Sequence, residues 1–387
     1  MLNRRVLRVK AMQSLYSYFL VKSSLRDMIE EELIAKFALD PSLHDFSDRK
    51  LFETKQNLIK IFFRNKFTNE PIQALEALGK EELREVENSY LDYEKLMNAE
   101  VKSIKSTMMS ERLRLQKAYL KILLLPVSLA FSNKQDLGRI KSSSVESSSS
   151  GNLSKNRFIL KLKEDSILCE LAKKREVDWE SESSSVTQWY KDVLSVDQYI
   201  INYQVLKVPS QEQQFECVQY LFKKIIFKSE IIGAYFDKHD LRWNENKPII
   251  RSMVLKTLKN FHIENPLELQ PLSYNEDDDF KYVDLLFSET MNRDYELEKI
   301  ISKRVKNWDT SRMAMTDLVI LKMALAEMMT FPSIPIKVTI NEYIEISKNY
   351  STPRSKQFVN GILDVLANEL SSEGIIKKSG RGLLDNK

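Results

Sequence analysis

Residues 318–329 read LVILKMALAEMM, and this stretch decides the fold. Its side chains are apolar on every side of a helix apart from Lys322 and Glu327, so we expect a central helix that is buried all round. Pro332 and Pro335 follow it and force a short extended connection before the next helix. A helix that is buried all round needs other helices to cover it.

The sequence after this connection predicts two covering helices. The first extends from about residue 337 to residue 350. For the second, Thr352 is a candidate N-cap, with Pro353 at the first helical position. Apolar residues of this last helix recur at helical spacing: Phe358, Val359, Ile362, Leu363, Leu366 and Leu370. Gly361 interrupts it at a cost of about 1 kcal/mol relative to Ala. Either a close helix crossing or the close approach of a ligand backbone would compensate for that cost.

Helical periodicity also marks most of the remaining chain, so we predict an all-α protein. The clearest segments are 81–104, 158–175, 215–236, 250–261 and 280–305, the last continuing towards Trp308. Acidic residues at 276–279 precede the last of these segments, and a solvated helix start explains them better than a calcium site. Two serine-rich stretches, 142–150 and 181–185, have too few apolar residues to pack and are predicted to be exposed loops.

Composition argues against several classes of enzyme. The 387 residues include only 8 Gly, and neither a GxxxxGK[ST] nor a GxGxxG string occurs, which disfavours phosphate loops and dinucleotide-binding folds. Cys169 and Cys217 are far apart and indicate a reducing compartment rather than a disulfide framework. The 3 His residues have no metal-ligand spacing, so no cofactor, metal or catalytic residue is predicted.

The net charge of +4 hides a basic N-terminus, because the first acid in the chain is Asp27. Gln13 and Ser14 interrupt any signal-peptide core, and the apolar run 122–131 is too short to span a bilayer. We therefore expect a soluble, cytoplasmic protein without a membrane partner.

Two places could bind an anion. On the predicted first helix, from residue 3 to residue 19, Arg4, Arg5 and Arg8 fall within one third of the circumference, beside a stripe of apolar residues. Guanidinium groups arranged in this way suit phosphates. A solvated basic face or a membrane-surface helix would produce the same pattern. The predicted apolar stripe consists of Val6, Val9, Met12, Tyr16 and Phe19.

The second place is the start of the last helix, where Arg354 and Lys356 flank free backbone amides. Phe358 follows and is either a core residue or a ring on which a base stacks. Glu342 and Glu345 lie three residues apart on the preceding helix, but such acid pairs are ordinary on helix surfaces.

Three strings resemble the NusB transcription antitermination family. They are NRRVLRVKAMQSLY at residues 3–16, IPIKVTINE at 334–342 and FVNGILD at 358–364. The resemblance extends over residues 1–20 and 280–370, and over 210–270 by helical pattern alone. It implies a NusB-like pair of packed helical bundles in which the first helix joins the last ones, together with a large additional helical region.

In domain terms, the resemblance implies that residues 1–22 are the Arg-rich first helix and 206–372 the remainder of the NusB-like domain. Residues 23–205 would be a helical insertion, and 373–387 a flexible tail.

The resemblance also implies a non-enzymatic RNA-binding factor. Its members bind boxA-type single-stranded RNA during ribosomal RNA transcription, together with NusE, a small-subunit ribosomal protein, and join the RNA polymerase elongation complex with other antitermination factors. The implied RNA-binding residues are Arg4, Arg5, Arg8, Tyr16, Arg354, Ser355, Lys356 and Phe358. Bases could stack on Tyr16, Tyr18 or Phe358, and the partner surface would involve the exposed sides of the helices around Tyr16 and 318–329.

Two alternatives remain open. A helical scaffold that binds only proteins would share the fold. A related module also occurs in ribosomal RNA cytosine methyltransferases, but this chain lacks the Gly-rich motif of their catalytic half.

Overall fold

The computed structural model describes residues 4–38, 49–67, 78–140, 151–273, 275–304 and 313–386. Within these ranges the protein is helical and contains no strand, which confirms the all-α prediction. The predicted loop at 142–150 lies outside the described residues.

The chain forms two compact units. One is the mid-chain unit, Ser110–Glu276; the other, which we name the two-segment unit, combines Arg4–Met109 with Asp277–Lys387. The predicted insertion at 23–205 is therefore divided, because its residues up to Met109 belong to the same unit as the C-terminal helices.

The two-segment unit begins with α1 (Arg4–Ala35), α2 (Arg49–Asn65) and the first part of α3 (Lys80–Ile140). Its C-terminal helices are α12 (Glu276–Asn292), α13 (Asp294–Arg304), α14 (Met315–Thr330), α15 (Ile336–Tyr350) and α16 (Ser355–Ser372). Every residue from Val319 to Met328 of α14 is buried, and α1, α13, α15 and α16 pack against this helix. The prediction of a central buried helix is confirmed.

The mid-chain unit holds the rest of α3 and a series of shorter helices around an aromatic-rich core. These are α4 (Asn152–Lys155), α5 (Arg157–Glu164), α6 (Ser166–Lys174), α7 (Ser183–Trp189), α8 (Gln198–Gln204), α9 (Gln211–Tyr220), α10 (Glu230–His239) and α11 (Trp243–Lys259). Asn156, Asp165, Asp197, Ser210 and Ser229 each cap the helix that follows through a side-chain oxygen. The predicted helix over 158–175 is therefore two helices, because the carboxylate of Asp165 accepts a hydrogen bond from the amide of Leu168 and starts α6.

Several predicted boundaries change. The first helix continues to Ala35 rather than ending near residue 20, and Arg293 separates α12 from α13. Of the serine-rich stretch 181–185, the last three residues open α7 instead of forming a loop. The last helix begins at Ser355, so Thr352 is not its N-cap; the Thr352 hydroxyl lies 2.8 Å from the Ser355 hydroxyl instead.

Residues after α16, predicted as a flexible tail, fold back on the α14–α15 connection. Ile376 is buried, and the amide of Ser379 donates a hydrogen bond to the carbonyl oxygen of Pro332 at 3.0 Å. Gly382 lies so close to the same oxygen that a Cβ at this position would clash with it. A 3-10 helix, Gly380–Asn386, ends the described chain.

One helical segment of the described chain, Lys80–Ser132, is long and apolar enough to cross a membrane by length and composition alone. In its most apolar window 61% is buried inside the protein, as is usual for a core helix.

Candidate nucleic-acid interface

The buried face of α1 differs from the predicted one. Leu7, Ala11 and Leu15 form its centre, whereas Tyr16 is 37% exposed. Arg8 precedes Ala11 by three positions and Leu15 by seven, so it lies on the same face and is only 2% exposed. Arg8 is therefore a core residue, which corrects its assignment as an RNA contact.

Glu327 on α14 pairs with Arg8 and is fully buried. The Nε and Nη2 groups of Arg8 each donate to one carboxylate oxygen at 2.8 Å. Tyr282 donates to the same carboxylate at 2.6 Å, Thr339 at 2.8 Å and Tyr343 at 3.2 Å. This buried network fixes α1, α12, α14 and α15 around one charge pair.

The network changes the acidity of its members. Burial lowers the pKa of Arg8, but the hydrogen bond and the charge of Glu327 outweigh burial and raise it. Burial, and next the charge of Glu327, raise the pKa of the Tyr282 and Tyr343 hydroxyls. All three groups therefore keep their protons and remain hydrogen-bond donors to Glu327.

Arg4 and Arg5 reach the surface. The guanidinium of Arg5 donates to both oxygens of Glu342 on α15, at 2.9 and 2.8 Å. Arg4 is exposed, and its guanidinium carbon lies 4.2 Å from the centre of the Tyr282 ring. Of the arginines that the sequence placed together, these two can meet a ligand.

The start of α16 presents two more exposed cations, Arg354 and Lys356. Ser355 between them is 2% exposed, and its hydroxyl donates to Asp317 of α14 at 2.7 Å. The predicted role of Ser355 as an RNA contact is therefore replaced by a structural one. Its hydrogen bond fixes the start of α16 against α14.

Cations from both basic places affect the pKa of Glu345 on α15. A hydrogen bond from Lys348 lowers the pKa of this carboxyl, and the charges of Arg5 and Lys356 lower it further. Arg5 near the start of α1 contacts α15 through Glu342, and α16 packs against the same helix.

The aromatic candidates differ in exposure. Tyr16 is exposed and Phe358 is partly buried, whereas Tyr18 is only 8% exposed and burial raises its pKa to about 12. Tyr18 is therefore a core residue and not a stacking platform. The exposed-side partner surface predicted on 318–329 is also wrong, because α14 is buried from Val319 to Met328.

Gly361 is exposed in the interior of α16, and a Cβ placed on it would meet nothing within 4 Å. A close helix crossing within the described chain therefore does not explain this glycine. The explanation that remains from the sequence is the approach of a ligand backbone.

The sequence does not indicate the acidic partners of the α1 arginines. Glu342, which looks like an ordinary surface acid, pairs with Arg5, and the buried Glu327 of α14 pairs with Arg8. Among the residues that the structure describes, no group of three His, Cys, Asp or Glu side chains could hold a metal ion.

Comparison with known proteins assigns the C-terminal region. Residues 248–368 match the NusB family, so this part of the chain is a NusB family domain and the predicted resemblance is confirmed there. The chain is similar to proteins named transcription antitermination protein NusB. That of Chloroherpeton thalassium is 44% identical over 110 residues, which are 28% of this chain and 52% of that protein.

Two further relatives carry the same name. The Salinibacter ruber protein is 43% identical over 103 residues, 27% of this chain and 64% of its own. The Koribacter versatilis protein is 46% identical over 88 residues, which are 23% of this chain and 60% of that protein. The chain thus spans between half and two thirds of the length of these relatives. No solved structure matches it.

Proposed function

We propose that this chain, with its NusB family domain at residues 248–368, is a non-enzymatic, intracellular factor of transcription antitermination that binds single-stranded RNA. The RNA would be of the boxA type, read during ribosomal RNA transcription in the cytoplasm. The names of its relatives support the process, and the surface around α15 supports the ligand.

One observation carries the RNA assignment. Arg5 of α1 donates two hydrogen bonds to Glu342 of α15, and α16, which carries Lys356 in its first turn, packs against the same helix, so both helices that carry these cations contact α15. A chain of phosphates can contact cations on two helices at once. Neutralising phosphates in this way makes binding depend on salt.

The contacts follow from exposure. We assign Arg4, Arg5, Arg354 and Lys356 to the RNA backbone, and Tyr16 and Phe358 to the bases, because aromatic rings hold unstacked bases. Exposed Gly361 would let the ligand backbone approach α16 closely. Arg8 and Ser355 are buried beneath this surface, where they fix the helices that carry it, and do not contact the ligand.

Fluorescence anisotropy with a labelled boxA-like RNA, and a scrambled RNA of equal length, tests the proposal across a salt series. Arg5→Ala/Lys356→Ala should weaken binding and reduce the slope of log K against log[salt] by about 1.4, at about 0.7 for each lost contact. Arg26→Ala/Lys36→Ala is the matched control, because it removes the same charge from other exposed positions. Equal affinities and slopes for the two variants would refute the assignment.

A protein-only scaffold is the competing function, and the pairing of Arg5 with Glu342 favours it because the pair reduces the positive charge of the surface. The proposed protein partners are NusE and, through it, the RNA polymerase elongation complex. Capture of the ribosomal protein without any measurable RNA affinity, alone or in the complex, would support the scaffold instead.

A further inference from the structure

We propose that Glu342 is an intramolecular competitor for Arg5, so that a ligand phosphate reaches this guanidinium only by displacing the carboxylate. This inference rests on the proposed function, because it concerns the same surface. According to this proposal, the acidic residue Glu342 limits the affinity for RNA of a surface whose other proposed contacts are cations and aromatic rings.

Arg5 binds Glu342 through two hydrogen bonds, in the same way that an arginine binds a phosphate. The Nε and Nη2 groups of Arg5 point at the two oxygens of Glu342, at 2.9 and 2.8 Å. This edge of the guanidinium is one that also grips a phosphate through two parallel hydrogen bonds. The carboxylate and the phosphate therefore compete for the same donors.

The two partners are unequally held. The Arg5 side chain is 48% exposed, whereas that of Glu342 is 19% exposed and lies 3.6 Å from Nη1 of Arg8. If Arg5 turns towards a ligand, Glu342 keeps a second cation beside it. After the exchange Glu342 still lies beside Arg8, which it shares with Glu327, and Arg5 is the more exposed partner and the one that can move.

The competition has a bounded size. A pair that involves a half-exposed arginine is weak, and its loss changes an equilibrium by about two- to fivefold. Removing the carboxylate should therefore tighten RNA binding by about that factor. Because Glu342 is held beside Arg5, a ligand that offers only one phosphate competes poorly with it, whereas a polyanion also gains contacts at α16.

The test is a double-mutant cycle measured by anisotropy with the same boxA-like RNA. Glu342→Gln should bind about two- to fivefold more tightly than the wild type, and the gain should disappear in an Arg5→Ala background. Glu345→Gln is the matched control, because it removes one carboxylate three residues away whose hydrogen-bond partner is Lys348 rather than Arg5. Circular dichroism of each variant establishes that it is folded.

The outcomes separate the two proposals. If the wild type binds RNA but Glu342→Gln binds no more tightly, this inference is wrong and the proposed function stands. It is also wrong if the gain persists without Arg5, or if Glu345→Gln gains as much, since each result indicates a general field effect. If neither the wild type nor Glu342→Gln binds RNA, the proposed function and this inference both fail.

Discussion

Removing Arg8 should destabilise the two-segment unit, whether or not it affects RNA binding. Arg8→Ala leaves the carboxylate of Glu327 buried without its counter-charge. Breaking a buried ion pair by deleting one partner costs about 3–5 kcal/mol. Glu327 would retain the hydroxyl donors Tyr282, Thr339 and Tyr343, which places the expected loss of unfolding free energy near the lower limit.

Urea unfolding followed by far-UV circular dichroism measures this loss, and hydrogen exchange on peptides from α1 and α14 locates it. Arg26→Ala is the matched control: it removes an arginine from the same helix, but an exposed one whose carboxylate partner is the adjacent Asp27. We expect less than about 0.5 kcal/mol for the control, because exposed pairs contribute little.

A double-mutant cycle with Glu327→Ala sharpens the assay. Each single substitution strands a buried charge, whereas the double substitution strands none, so its cost should be well below the sum of the two. If Arg8→Ala stays within about 1 kcal/mol of wild type, or if the costs add, the buried pair does not hold these helices together. A loss of RNA binding in a destabilised Arg8 variant would carry no information about contact.

Three further results are expected. Gly361→Ala should raise the free energy of unfolding by about 0.5–1 kcal/mol, since the new Cβ meets nothing, and a lower urea midpoint would contradict this. Burial raises the pKa of Glu182, but hydrogen bonds, the largest from Lys121, lower it to about 2. The carboxylate therefore stabilises the fold above about pH 4.5 and ceases to do so as the pH falls towards 2; urea midpoints of Glu182→Gln should fall less over that range. Cys169 is exposed, whereas burial raises the pKa of the Cys217 thiol to about 12, so a thiol reagent should label one cysteine in the native chain and two in denaturant.

The sequence predicted the parts of this fold that depend on local pattern. The central helix, the two helices after it and the all-α class follow from apolar spacing, which the structure confirms. Helix ends were harder to predict from the sequence, because they depend on single capping contacts such as that of Asp165. The docked tail was missed because its anchors are backbone groups, such as the carbonyl of Pro332, that sequence does not display.

The sequence predicted which residues of the candidate surface are cationic, but not which of them are exposed. Arg5 and Arg8 looked equivalent, yet Arg5 is half exposed and Arg8 is buried. Their carboxylate partners lie 337 and 319 residues away in sequence, beyond the reach of any periodicity argument. The helical spacing of α1 distinguishes the two arginines, because Ala11 and Leu15 share a face with Arg8 rather than with Arg5.

Lys322 and Glu327, the two charged residues of the stretch 318–329, indicate which helices contact α14. A charge inside a helix that is buried all round is too costly to stand alone, so each exception requires a partner of opposite sign from another element. Glu327 obtains Arg8 from α1, and Lys322 obtains Asp294 and Glu298 from α13. The polar residues of LVILKMALAEMM thus mark where two other helices dock on α14, and their signs require an arginine or lysine from one and acids from the other. A charged residue in an otherwise apolar helix therefore predicts a partner of opposite charge on another element, whereas its apolar neighbours predict only that the helix is covered.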